Sequence, residues 1–289
     1  MESSAVELSQ LSPLISVGCC FILSIIYVSS LYVWNSDQNR DHPSTVKRRF
    51  FSVFIVMLLS PAFVYKFSLG AKVFKDVTLA AILGFRTEGF LLATIVPILL
   101  TSLLFLGPLV AQAFNESWRV SVSHNNWLNN FTNVLWLRNF LVAPLSEEFT
   151  FRACMMPLLL QSFTPSTAVL ITPLFFGVAH FHHMIERLRS GMDMKTAIII
   201  SCFQFTYTTI FGFYSAYLFV RTGHFVAPFV AHAFCNHMGF PDINDVILHK
   251  NYMRYVLIAL YVTGLVLWIL VLPVATTPSF YANNLYWKT

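Results

Sequence analysis

Charge is what this 289-residue chain has least of: 11% of its residues are Asp, Glu, Lys or Arg, against roughly 25% in soluble domains. That deficit excludes an ordinary water-soluble globule. With 56% hydrophobic residues and a mean hydropathy of +0.66, it points to a polytopic membrane protein. Cysteine is sparse and scattered. The five present, Cys19, Cys20, Cys154, Cys202 and Cys235, lie mostly inside apolar runs, an odd set without ligand spacing, which excludes a disulfide framework or zinc module. The net charge of +5 gathers on no single face, so nucleic acid is not an expected partner, whereas an anionic cytoplasmic leaflet suits it. No cleavable signal peptide is expected either, because the first apolar run follows Glu2 and Glu7 rather than a basic segment. No repeat or low-complexity linker divides the chain, and residues 1–289 read as one integral membrane domain.

What is abundant is phenylalanine, 29 residues, in apolar runs long enough to cross a bilayer. Spans are predicted at Leu14–Trp34, Phe51–Tyr65, Phe90–Phe114, Trp136–Leu160, Thr167–Phe181, Thr196–Val220 (one span or two), Phe225–Phe240 and Val256–Val274, about eight crossings. Residues 68–88, with Lys72, Lys75, Asp76 and Arg86, hold at most a short helix. The loop carrying Arg40, Lys47, Arg48 and Arg49 is cytoplasmic by the positive-inside rule. Counting from it, the polar stretch Asn115–Asn133 is also cytosolic, so its sequons at Asn115 and Asn130 are expected to be unmodified. From Trp136 on, prolines 144, 157, 165, 173 and 228 and glycines 177, 212 and 239 interrupt the spans. Irregular backbone at membrane depth is tolerated where it lines a protein-walled or watery space. The predicted fold is therefore all-α and polytopic, with broken helices around an intramembrane active-site cavity, and residues 136–241 as its catalytic core.

The chemistry gathers in that core. Pro144-Leu-Ser-Glu-Glu-Phe-Thr-Phe-Arg152 places two adjacent carboxylates in an otherwise apolar run, where an ionisable residue usually faces a protein interior or a cavity. Glu148 and Arg152 are spaced i,i+4 and can pair; Glu147 points about 100° away, so one pairing cannot neutralise both. His180 closes Phe176-Gly-Val-Ala-His180, and His232 and Asn236 share a helix face. Each alone is more often a satisfied interior residue; it is their convergence within one third of the chain that carries the reading. A glutamate in a dry wall is a competent base for water, a histidine opposite can share that water or protonate a leaving amine, and an amide with a second imidazole N–H can donate to an oxyanion. Such a set hydrolyses an amide without a covalent intermediate. Other peptidase chemistries lack their parts. There is no His-Glu-x-x-His, no Gly-x-Gly-Asp, and Leu188 stands where a rhomboid-type serine motif needs glycine before Ser190-Gly191. Cys235, three residues from His232, is a possible thiol nucleophile, but a thiol within an apolar helix is usually inert. A metal held by Glu147, His180 and His232 is compatible with the ligand types.

Glu147-Glu148-x-x-x-Arg152, Phe176-x-x-x-His180 and His232-x-x-x-Asn236, in this order, resemble the signature of the CAAX protease and bacteriocin-processing superfamily. The longer strings Arg40-Asp-His-Pro, Leu137-Arg-Asn, Ala143-Pro-Leu-Ser-Glu-Glu, Phe175-Phe-Gly-Val-Ala-His-Phe-His-His183, Arg221-Thr-Gly-His224 and Phe234-Cys-Asn-His-Met-Gly-Phe-Pro241 are similar to its eukaryotic branch, the Ras-converting type II CAAX prenyl endopeptidases. The resemblance spans nearly the whole chain and is densest from Trp136 to Pro241. It implies a multi-pass endoplasmic reticulum endopeptidase with its active site open to the cytosol. Such an enzyme removes the last three residues of farnesylated or geranylgeranylated CaaX proteins, among them Ras-type small GTPases, by glutamate-activated water and without a cofactor. Carried over by position, Glu147 and His180 activate the water and His232 and Asn236 stabilise the transition state, with Glu148 and Arg152 as supporting residues. Cys235 falls on an unspecified position of the third motif. Three alternatives stay open at this level: a transporter or channel with intramembrane carboxylates, a metal-dependent form of the same protease, and a non-catalytic scaffold. No paired broken segments of the transporter kind are visible in the first half of the chain.

Overall fold

The computed structural model describes residues 11–34, 38–68, 74, 76–114, 129–241, 246–247 and 252–287. The expectations placed on Glu2, Glu7, Lys72, Lys75 and the Asn115 sequon lie outside the described residues. Among those described there is no strand. Helix α1 (Pro13–Ser30) starts where Ser12 accepts the Ile15 N–H at 3.4 Å and Pro13 takes the first helical position. Then come α2 (Pro43–Ser68), a short α3 (Leu79–Ile82), α4 (Phe90–Leu104) and α5 (Leu106–Phe114). Helix α6 runs from Val134 to Leu159 and contains two π turns, Arg138–Val142 and Phe149–Cys154, on either side of Ala143–Glu148. It is followed by α7 (Pro165–Ala179), α8 (His182–Arg189), α9 (Met194–Thr222), α10 (Val226–Met238), α11 (Tyr252–Ala275) and a 3₁₀ turn at Pro278–Tyr281.

Among the described residues, five segments are long and apolar enough to span a bilayer: α1, α2, the α7–α8 run Pro165–Arg189, α9 and α11. The expected single span Phe90–Phe114 is instead bent by 72° between α4 and α5, and taken together that pair makes a sixth. The segment expected to hold one or two spans is one helix, α9. The other two of the eight expected crossings correspond to α6, interrupted by its π turns, and α10, whose 13 residues reach about 20 Å. The chain is an all-α, multi-pass membrane protein.

Its surfaces are distributed as lipid demands. Along α1, Ser16, Cys19, Cys20, Leu23, Tyr27 and Ser30 face inward, while Phe21, Ile22, Ile25 and Ile26 face out. In α11 only Leu257 and Gly264 are buried. Lipid tails are as apolar as leucine, so sequestering large aliphatics gains little. Helix interfaces in membranes therefore collect small and hydrogen-bonding residues. Ser16 Oγ meets Ser162 Oγ at 2.7 Å, and Tyr27 Oη meets Ser146 Oγ at 3.0 Å.

The centre of the fold is α6. Every residue from Glu148 to Gln161 is buried, as suits a helix apolar on all sides. Helices α1, α2, α7, α9 and α10 contact it, and Phe151, Met155, Met156, Leu158 and Leu159 fill the space between. Helices α7 and α9 pack closely through Gly177 and Gly212. A Cβ at Gly177 would collide with Thr209 Oγ1 and the Phe205 ring, and one at Gly212 would lie 2.8 Å from Pro173 Cβ and 3.2 Å from Arg152 Nη2. Replacing Gly177 by valine is expected to separate the two helices at a cost of roughly 1–3 kcal/mol. The check is a lower melting temperature of the purified protein in detergent.

Candidate active site

Four helices converge on Glu148. Its carboxylate is fully buried and accepts from three donors: Arg152 Nη1 at 3.1 Å, one turn along α6; Ser215 Oγ from α9 at 2.5 Å; and His232 Nδ1 from α10 at 2.7 Å. The i,i+4 pair anticipated between Glu148 and Arg152 is formed. The Arg152 guanidinium also lies 4.4 Å above the face of Phe176, from α7, and donates at 3.4 Å to the Gly212 carbonyl. Gly212 lacks the Cβ that would crowd this guanidinium. Two charges are thus removed from water together: the carboxylate has three donors, while the guanidinium Nε stays buried without a hydrogen-bond partner.

The geometry of His232 follows from Glu148. A carboxylate only accepts, so Nδ1 of His232 carries the proton in that contact and Nε2 faces the other way. What it faces is Glu147, whose Oε2 lies 3.8 Å from Nε2. Glu147 keeps 19% of its side chain exposed, whereas Glu148 has none. The adjacent carboxylates therefore differ in kind: one is saturated and dry, the other is accessible with a single imidazole beside it.

His180 ends α7, and its Nδ1 donates to the Phe176 carbonyl at 2.7 Å, which leaves Nε2 as the acceptor nitrogen. Its ring stands edge-on to Phe176, 4.7 Å between centroids, and Phe176 in turn stands edge-on to His232 at 6.1 Å. Phe176 is thus the wall shared by both histidines and Arg152. No direct polar contact joins His180 to Glu147 among the described residues.

Asn236, one turn beyond His232, is exposed and donates from Nδ2 to the Asn139 carbonyl at 2.8 Å. The π turn explains why that carbonyl is available. In an α-helix it would accept from Ala143 N–H, but Ala143 donates one residue further back, to Arg138. The next donor in line would be residue 144, and Pro144 has no N–H. Backbone that cannot complete its own ladder holds the Asn236 amide by one of its two hydrogens and leaves the other without a partner among the described residues.

Two contributors were not singled out from sequence, Ser215 and Asn139 through its carbonyl, and Phe176, marked there only as a motif position, serves as a wall. A signal existed for Ser215, because Thr208, Gly212 and Ser215 form a small-residue stripe on α9. Glu147, His180 and His232 do not bring three ligand atoms within 4.8 Å of one another; among the described residues the triple that does is His182, His183 and Glu186. Both Glu186 oxygens are already engaged, Oε1 by Arg49 and Tyr32 and Oε2 by Arg40 and His183, each at 2.9–3.0 Å. Cys235 is partly buried, three residues after His232.

Comparison with known proteins places this site in a family. Residues 129–238 match the family model described as type II CAAX prenyl endopeptidase Rce1-like. The chain is 43% identical over 276 residues to the human protein named CAAX prenyl protease 2, covering 93% of this chain and 83% of that protein. It belongs to the CAAX prenyl protease 2 family. Relatives of the same name in Arabidopsis thaliana (33% identical, 97% of this chain and 95% of that protein) and Saccharomyces cerevisiae (32%, 78% and 80%) extend the similarity across kingdoms. No solved structure matches the chain. The matched segment of this CAAX endopeptidase family member begins just before α6 and ends with α10, so it contains every residue of the site.

Removing Glu148 alone would leave Arg152 charged, buried and unpaired, at a cost of roughly 3–5 kcal/mol. Glu148→Ala should therefore melt well below the wild type. Glu148→Leu combined with Arg152→Met should recover most of that loss without recovering activity, since His232 has lost its anchor. A thermal melt and an activity assay on the same preparations check both expectations.

Proposed function

We propose that this CAAX-family endopeptidase removes the last three residues from farnesylated or geranylgeranylated CaaX proteins, Ras-type small GTPases among them, using water activated by Glu147. The observation that carries this reading is the asymmetry of the two carboxylates. Glu148 is spent on Arg152, Ser215 and His232, whereas Glu147 is accessible and faces only the imidazole of His232 at 3.8 Å. A general base needs a free lone pair within reach of water, and Glu147 alone of the pair offers one.

The steps follow from the donors present. Water adds to the carbonyl carbon of the scissile amide, and its proton passes to Glu147. The oxyanion that forms is met by the second Asn236 amide hydrogen and by His232 Nε2. Because Nδ1 is committed to Glu148, Nε2 donates only when the ring carries a second proton, and Glu147 is positioned to hand on the one it has taken. His180 Nε2, free of protein partners in the described contacts, orients the water, accepts the proton that remains on its oxygen after addition and passes it to the leaving amine as the C–N bond breaks. Donation to an oxyanion of this kind accounts for about 10²–10³ in rate per donor. No metal or cofactor is required by this scheme.

The same proposal covers location: an endoplasmic reticulum membrane protein with its site open to the cytosol, where the prenyl group enters from the bilayer alongside the peptide. Burial of the prenyl chain contributes about 0.8 kcal/mol per methylene, enough to deliver the substrate terminus at the interface. The Asn130 sequon, on the cytosolic side in this topology, carries no glycan.

The test is release of the C-terminal tripeptide from a farnesylated CaaX peptide by purified protein. Glu147→Gln, with its fold intact by thermal melt, is expected to lose roughly 10²–10⁴ in kcat, the span of general base catalysis. Asn236→Ala is expected to fall about 10²–10³, and Cys235→Ala to stay near wild type. Loss of activity on chelation, restored by zinc, would replace the water–glutamate scheme with a metal-dependent one. A matched peptide without the prenyl group, cleaved equally well, would remove the lipid from the recognition.

A further inference from the structure

In the proposed reaction the piece that leaves is a tripeptide, with a freed amine at one end and a carboxylate at the other. The joint between α7 and α8, next to His180, is a tight turn. The N–H groups of His183 and Met184 reach back only three residues, to the carbonyls of His180 at 3.1 Å and Phe181 at 2.9 Å. In such 3₁₀ geometry side chains three apart eclipse one another, and the His183 ring lies 5.9 Å from that of His180. One α-helical turn further along α8, Arg187 shares the face of His183. His180, His183 and Arg187 thus form one row along the α7–α8 run.

A second row runs beside it on α9, which packs against both α7 and α8. Gln204, Tyr207 and Phe211 are spaced i, i+3, i+7. Gln204 Oε1 accepts from Arg187 Nη2 at 2.6 Å, and the Phe211 ring lies 4.8 Å from that of His232. Tyr207, between them, is close enough to both Arg187 and Glu147 to feel their charges. Both rows therefore begin at the reacting groups and end at the same guanidinium. Arg187 is fixed there by neutral groups, because its Nη1 donates to Ser201 Oγ at 2.8 Å, also from α9. Two of its five N–H donors are used. The adjacent Glu186 is engaged elsewhere, by Arg40 and Arg49, each at 2.9 Å.

The spacing suits one occupant. From His180 to Arg187 is about 12 Å along the helix axis, three residues at about 2.0 Å and four at about 1.5 Å. Helical side chains lean back toward the N-terminus, which shortens the gap. An extended tripeptide reaches about 10–11 Å. With its amine at His180, the tripeptide brings its carboxylate to Arg187, and guanidinium–carboxylate pairing is strong and directional. Its middle passes Tyr207, Phe203 and Phe240, exposed rings that meet at 5.2–6.1 Å and offer an apolar wall to the aliphatic positions of a CaaX tail. We propose that Arg187 binds the terminal carboxylate of the substrate and thereby sets the length of the released piece at three residues. This role rests on the reading of the site as a CaaX endopeptidase.

The experiment uses full-length purified protein and three farnesylated peptides: a CaaX tail with a free acid, the same tail as a primary amide, and a free-acid tail longer by one residue. Mass spectrometry identifies the released fragments. Wild type is expected to cleave the CaaX acid with a kcat/KM about 10- to 100-fold above that of the other two, the effect of hydrogen bonds to a charged group. Arg187→Gln should lower the acid to the level of the amide, chiefly through KM, and leave the amide unchanged. Arg187→Lys should recover part of the preference, as a point charge without the planar fork. Arg189→Gln, on another face of α8, should keep all of it. The four proteins should melt alike. Equal cleavage of acid and amide by the wild type, or an equal fall on both in Arg187→Gln, overturns the role of Arg187 and leaves the endopeptidase reading standing. Cleavage of none of the three peptides by the wild type overturns that reading, and the role of Arg187 with it.

Discussion

A carboxylate with no access to water must be satisfied on every side, and the fully buried Glu148 imposes that demand on this protein. Its donors come from its own helix, from α9 and from α10, with Phe176 of α7 closing over the guanidinium. In an apolar surrounding each of these contacts is stronger than in water, and each vacancy more costly. The network that makes the charge tolerable thus also sets the relative placement of four helices and the direction in which the His232 ring points. Glu147 inherits its surroundings from that arrangement. Its contact to another helix is the looser one, 3.8 Å to His232 Nε2.

How far the sequence discloses this differs from element to element. The Glu148–Arg152 pair was legible because helical spacing dictates it, and the membrane class because composition leaves no alternative. The three motifs mark the helices that meet at the centre. Ser215 was hidden because serine is common in membrane helices for packing reasons alone, and nothing local separates a hydroxyl that faces a carboxylate from one that faces a neighbouring backbone. Asn139 was invisible in principle: its carbonyl acts, and every residue has one. The bend between α4 and α5 falls at Phe105 within an unbroken apolar run, so hydropathy reads one straight span where packing makes two helices. The count of crossings suffers the same way at α6 and α10, where length, continuity and hydropathy no longer coincide.

The outer helices follow a simpler logic. Helix α11 buries two residues and α1 a narrow stripe of small ones, and the remainder meets lipid. Their aliphatic surfaces are interchangeable in a way that the core is not, because one hydrocarbon neighbour serves as well as another. Similarity among relatives reaches most of the chain, but the matched family segment runs from just before α6 to the end of α10, where the polar contacts of the site lie.

The two π turns of α6 have a genetic consequence. Each holds one residue more than the α-helical turn it replaces, so the segment Ala143–Glu148 is out of phase with the helix on both sides. Loss of a single codon within Arg138–Val142 would let the backbone close into ordinary α geometry, with the carbonyl opposite Pro144 still unpaired. The helix preceding it would then be turned by about 100° relative to the carboxylates, carrying the Asn139 carbonyl away from Asn236. An in-frame deletion of one amino acid there would break the Asn236 contact while leaving Glu147, His180 and His232 unchanged in the sequence.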